Sequence, residues 1–130
     1  MKWKTKEQIK AAAKESDQAA LEMSIEHHQQ IFDAPVKELR GGLATGLDAF
    51  DEKFCALCHR YNYAVCNDCP LGDEDGQHCR SGNSAFRKAS HEWNSYVRDK
   101  HDSHAQAFRT AEEKLLNLLK SIHEKLYGKN

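Results

Sequence analysis

Residues 85–127, AFRKASHEWNSYVRDKHDSHAQAFRTAEEKLLNLLKSIHEKLY, run for 43 positions without a glycine or a proline. Those two residues interrupt helices most strongly, so the stretch reads as helical. Phe86, Ala89, Trp93, Tyr96/Val97, His104, Phe108, Ala111, Leu115, Leu118/Leu119, Ile122 and Leu126 recur mostly at three- and four-residue steps. That period lines side chains along one face of a helix. The pattern thins over Asp99–Ser103, where Asp102 or Ser103 can cap a second helix. The stretch is therefore either one long helix or two with a kink, and Gly128 marks its end.

A second helical stretch opens the chain. Thr5-x-x-Gln8 has the form of a capping box, in which each side chain satisfies a free N–H at the helix start. From there Ile9, Ala13, Ser16, Ala20, Met23, His27 and Ile31 mark a narrow stripe of mostly small side chains, predicting one helix over residues 6–32. Asp33-Ala34-Pro35 ends it, because the residue before a proline avoids helical angles. Residues 34–54 read as a connector, with Gly41-Gly42 and Gly46 as breakers and Leu39, Leu43, Leu47, Phe50 and Phe54 to pack it down. The heptad-like spacing favours a coiled-coil-like antiparallel hairpin of the first and last helices, or a small bundle.

Between these helices lie all five cysteines, within CALCHRYNYAVCNDCPLGDEDGQHC, residues 55–79. Cys55/Cys58 and Cys66/Cys69 are Cys-x-x-Cys pairs, and Cys79 follows an acidic, glycine-containing loop. Two such pairs offer four thiolates, the soft tetrahedral set that a structural Zn2+ ion takes. Cys79, His59 or His78 can substitute for one of the four. An odd cysteine count, with no apolar export segment after the N-terminal lysines, argues against a secreted disulfide scaffold. An iron–sulfur cluster is the alternative, kept open by Pro70 after Cys69. The fold class is thus mainly α, a single domain over 1–130. It divides into an N-terminal helix (1–33), a connector (34–54), a zinc-binding segment (55–79) and a C-terminal helix or two (84–127).

Cys-Ala-Leu-Cys at 55–58, an aromatic at Tyr61 or Tyr63, Cys66-Asn-Asp-Cys-Pro-Leu71, a further Cys79, Trp93 and the leucine-rich end at Leu115–Leu119 form a pattern. From Phe54 onward the chain resembles a group of small, uncharacterised five-cysteine proteins of tailed phages and prophages. The resemblance implies a bacterial host cytoplasm and an accessory role.

The net charge of −1 argues against the whole chain being an electrostatic magnet for nucleic acid. Its distribution is uneven, however. Residues 33–75 carry four basic and nine acidic side chains, and residues 76–130 carry ten basic and six acidic. No apolar run reaches the length of a membrane span, so no membrane partner is expected.

Enzyme signatures fail one by one. His91-Glu92-x-x-Ser95 lacks the second histidine of a zincin helix, and no His-x-Glu precedes the cysteines as a deaminase requires. No Glu-x-x-His occurs, which removes the di-iron carboxylate pattern. A thiolate-filled zinc site leaves no open position to activate water. The expectation is a non-enzyme whose zinc head and helices present a surface to a protein partner. Arg80, Arg87, Lys88, Trp93, His101 and His104 are the residues that can form such a surface, or hold a nucleotide or other small anion by charge and stacking. Nucleic-acid binding by the basic C-terminal half is a weaker reading, and Leu115–Leu126 is the natural stripe for self-association.

Overall fold

The computed structural model describes residues 4–34, 56–61, 85–99 and 102–128. Five helices make up nearly all of this: α1 (Lys6–Glu15), α2 (Asp17–Asp33), α3 (Ala56–Tyr61), α4 (Ala85–Asp99) and α5 (Asp102–Tyr127). No strand occurs among the described residues. The mainly α class read from the sequence is therefore correct. No helix among them is long and apolar enough to cross a membrane.

The Thr5 capping box forms as read. Thr5 Oγ1 accepts from the Gln8 N–H at 3.1 Å, and the Gln8 side chain accepts from the Thr5 N–H at 2.9 Å. The helix it starts does not continue to Phe32. It stops at Glu15, and Ser16, in extended conformation, closes α1 and caps α2, its Oγ accepting from the Ala19 N–H at 3.0 Å. Lys14 in the last turn of α1 and Asp17 in the first turn of α2 each complement the adjacent helix dipole. The chain reverses here. The Lys4 N–H reaches Gln30 Oε1 at 3.1 Å and Lys4 Nζ reaches Glu26 at 3.2 Å. An unbroken helix would hold those residues more than about 30 Å apart.

Nothing local forces that break; a distant side chain completes it. The carbonyls at a helix end have no partner within the helix. Arg60 of α3 supplies one, donating from Nη1 to Ala13 O at 3.1 Å and Lys14 O at 3.3 Å, and from Nε to Asp17 at 2.7 Å. Folding back then buries Ile9, Ala12 and Ala13 of α1 with Ala20 and Leu21 of α2. The stripe of small side chains serves this close self-packing.

The far end of α2 uses the same device. Asp33-Ala34-Pro35 stops the helix as expected, with Ala34 N–H on Gln30 O. Arg109 of α5 donates to Phe32 O and to Ala34 O, each at 2.7 Å.

In the C-terminal half, two separate helices replace the single long one that the sequence left open. The Trp93 and Phe108 ring centroids are 5.1 Å apart. Fifteen residues along a straight helix would separate them by about 22 Å, so α4 folds back on α5. Ala85, Ala89, Trp93 and Tyr96 form the buried face of α4, against Phe108 and the residues beyond it on α5. α5 in turn runs antiparallel to α2, with Arg109 at the end of α2 and His123 beside Glu22 near its start. The antiparallel pairing expected of the first and last helices is thus made by α2 and α5. Leu115, Leu119 and Ile122 are buried in this core, while Leu126 is 56% exposed.

Ser16→Ala should lower stability by about 1 kcal/mol, the usual cost of losing a helix N-cap. A urea unfolding midpoint indistinguishable from that of the unchanged chain would show that Arg60 alone maintains the break.

Candidate functional site

The seam between α2 and α5 holds the unusual chemistry. The buried face of α2 is Ala20, Leu21, Ser24, His27, His28 and Ile31. Facing it, α5 buries Phe108, Leu115, Leu119, Ile122 and, within the same stripe, Glu112. Three- and four-residue spacing puts Glu112 on the inner face with Phe108 and Leu115. Its side chain is 0% exposed.

A buried carboxylate is costly unless it is bonded. Glu112 Oε1 lies 2.6 Å from His28 Nδ1, and the His28 ring meets that of His27 edge-on with centroids 5.5 Å apart. Among the described residues, Ser24 Oγ and Glu112 Oε2 are buried and have no hydrogen-bond partner.

A second histidine–carboxylate pair joins the same helices nearer the open end. His123 Nε2 lies 2.9 Å from Glu22 Oε2, whose side chain is 43% exposed. The His123 ring packs on Tyr127 at 5.3 Å. Beside the pair is a cleft of about 390 Å³ lined by Glu22, Ile25, Glu26, Lys120 and His123. The two pairs differ in weight. The inner one is closed off from water, where a broken hydrogen bond is not replaced by solvent; the outer one is screened by water.

Ser24, His28 and Glu112 are the residue types of a hydrolytic triad, and their arrangement does not serve one. Ser24 Oγ makes no hydrogen bond to the imidazole, and all three side chains are closed to solvent, so the hydroxyl is neither activated nor within reach of a substrate. Among the described residues, no group of three or more His, Cys, Asp or Glu side chains is placed to hold a metal. The seam is a structural polar core.

Of the cysteines, Cys58 lies in α3, together with His59. Cys55, Cys66, Cys69, Cys79 and His78 fall outside the described residues, as do Arg80 and His101. The donor set itself suits zinc, since four of the five thiols would meet its preference for soft tetrahedral ligands. Ala56 and Leu57, the two residues between the first thiol pair, are buried in the common core with Ile9, Ala20 and Leu21.

Arg87 and Lys88 lie exposed on α4, and His104 lies in α5. Trp93 does not join an exposed basic surface. It is 2% exposed, packed on Phe108 and Tyr96, because its position four residues after Ala89 and three before Tyr96 puts it on the inner face.

Comparison with protein-family models, curated proteins and solved structures returns no match.

Glu112, Glu22 and His123 were not singled out from the sequence. The signal for Glu112 was present in the α5 stripe, since a carboxylate four residues after Phe108 and three before Leu115 faces the core and needs a buried partner. His28 carries the matching signal, seven residues after Leu21 and three before Ile31.

Removing one member of the inner pair should be severe and of the outer pair mild. Glu112→Ala is expected to cost about 2–5 kcal/mol by breaking a buried contact and emptying its place in the core, and Glu22→Ala no more than about 1 kcal/mol. Equal shifts in the two denaturation curves would contradict the distinction.

Proposed function

We propose that the chain is a non-catalytic, zinc-stabilised helical binding protein. Zn2+ held by thiolates drawn from Cys55, Cys58, Cys66, Cys69 and Cys79 fixes a head, and the helices and head together present a surface to a protein partner. The resemblance to five-cysteine phage and prophage proteins suggests an accessory protein acting in a bacterial cytoplasm. Its partner would then be a host protein, such as a defence factor.

The observation that carries this reading is the burial of Ala56 and Leu57 against α1 and α2. The first thiol pair therefore brackets a core element, so that a metal held there would brace the helical frame as well as its own loop. The frame has use for such a brace. Much of its buried surface on α1 and α2 is alanine, serine and histidine, which contributes less on burial than leucine or phenylalanine would. The burial of Ser24, His28 and Glu112 supports a non-catalytic role for the seam. The cleft sets two carboxylates, Glu22 and Glu26, beside Lys120 and His123, which leaves a nucleotide or other anion little net attraction there.

Purified protein should contain about one zinc ion per chain, and a strong chelator or Cys58→Ser should abolish its cooperative melting, since metal-binding energy in small sites is largely folding energy. Metal-free protein that melts sharply, unchanged by chelator, contradicts the zinc head. For the binding role, zinc-loaded protein used as bait in a bacterial lysate should retain a specific host protein that Cys58→Ser does not. Recovery of nothing above background contradicts that role.

A further inference from the structure

Residues 6–33 contain neither glycine nor proline, and Ala11, Ala12, Ala13, Ala19 and Ala20 surround the break at Ser16 with the strongest helix former. A helix continued through Ser16 would give Ala13 O the N–H of Asp17, and Lys14 O the N–H of Gln18. Those are the two carbonyls that Arg60 takes, from Nη1 at 3.1 and 3.3 Å, while its Nε holds the Asp17 carboxylate at 2.7 Å. Ser16 Oγ likewise takes the Ala19 N–H at 3.0 Å, which a continuous helix would direct to Glu15 O. The bent and the straight corner compete for the same backbone groups.

The apolar contact at the corner also runs through α3. α1 brings only Ile9, Ala12 and Ala13 to it, against Ala20 and Leu21 of α2, a small area to hold a helix by. Ala56 and Leu57 of α3, 1% and 2% exposed, complete the cluster, and α3 packs on both α1 and α2.

We propose that α3 is a clasp that keeps α1 folded on α2, and that withdrawing it converts residues 6–33 into one continuous helix. Each state satisfies the carbonyls at the junction, which makes the corner a choice between two arrangements rather than a loose joint. A partner that takes hold of Leu57 or Arg60 can do so only with the clasp open, so its binding favours the straight helix. The change is read out at the far end of α1, where Lys4 leaves Gln30 and Glu26. The proposal stands on the helical frame alone and is independent of zinc.

The test is an electron-spin distance between labels carried at Glu7 and Glu26 on a keto amino acid, which leaves the five cysteines untouched. Both positions are exposed. With α1 packed on α2 the backbones at the two labels lie about 10 Å apart; a continuous helix puts them about 28 Å apart. Ser16→Ala with Arg60→Ala removes cap and clamp together. This variant should show a narrow population at the longer distance, with no loss of far-UV helical signal. Ser16→Gly with Arg60→Ala should return to the short distance, because glycine still serves as a cap but disfavours continuation of the helix. The short distance alone in Ser16→Ala/Arg60→Ala overturns the proposal. So does a broad distribution with falling helical signal, which marks unfolding of α1 rather than straightening, and so does an equal long population in the glycine variant.

Discussion

A carboxylate closed off from water at the centre of the helical core sets the terms for this fold. Glu112 has one protein hydrogen-bonding partner among the described residues, His28 of α2. That bond exists only when α2 and α5 lie antiparallel at one particular alignment. Sliding either helix by a turn, about 5.4 Å, would part the Glu112 side chain from the His28 ring inside the core. A hydrophobic stripe alone tolerates such slips more readily, because neighbouring leucines and alanines can exchange partners. A buried polar pair can in this way select one register at some expense of stability, and the His123–Glu22 contact at the outer end of the seam agrees with the same alignment.

α2 is the element that the others share. It packs against α1, α3 and α5, and its two ends are tied down by arginines from elsewhere in the chain. Arg109 satisfies the carbonyls where α2 ends, and Arg60 satisfies those where α1 hands over to it. Helix C-termini gather unpaired carbonyls and a partial negative charge, so a guanidinium serves both needs. The arginine that completes the α1–α2 corner belongs to α3, two residues after Cys58 in the sequence.

Much of the frame was legible because it is written in local chemistry. The Thr5 capping box, the stop at Asp33-Ala34-Pro35 and the periodic faces around Ala89–Tyr96 and Phe108–Ile122 all depend on residues a few positions apart. The break at Ser16 was not legible as a reversal. Ser16-Asp17 is an adequate cap signal, but alanine-rich sequence on both sides favours continuation, and the side chain that tips the balance is Arg60. The seam pairs were missed for the same reason, since His28 and Glu112 are 84 residues apart and Glu22 and His123 are 101 apart. Trp93 carries two readings, a place on the periodic face with Ala89 and Tyr96 and a stacking platform beside basic residues, and its burial agrees with the first. Of the proposed zinc ligands, the sequence spacing remains the main argument, joined by the burial of the two residues inside the first pair.

The most direct test of the seam is a double-mutant cycle on His28→Ala and Glu112→Ala, with unfolding free energies measured for the unchanged chain, each single variant and the double. If one buried contact fixes α2 on α5, the double variant should be less destabilised than the sum of the singles by about 2 kcal/mol, within the range for residues in direct contact. Additivity to within about 0.5 kcal/mol, the behaviour of independent sites, would show that the two side chains do not act together and that the register is set by the apolar stripe alone.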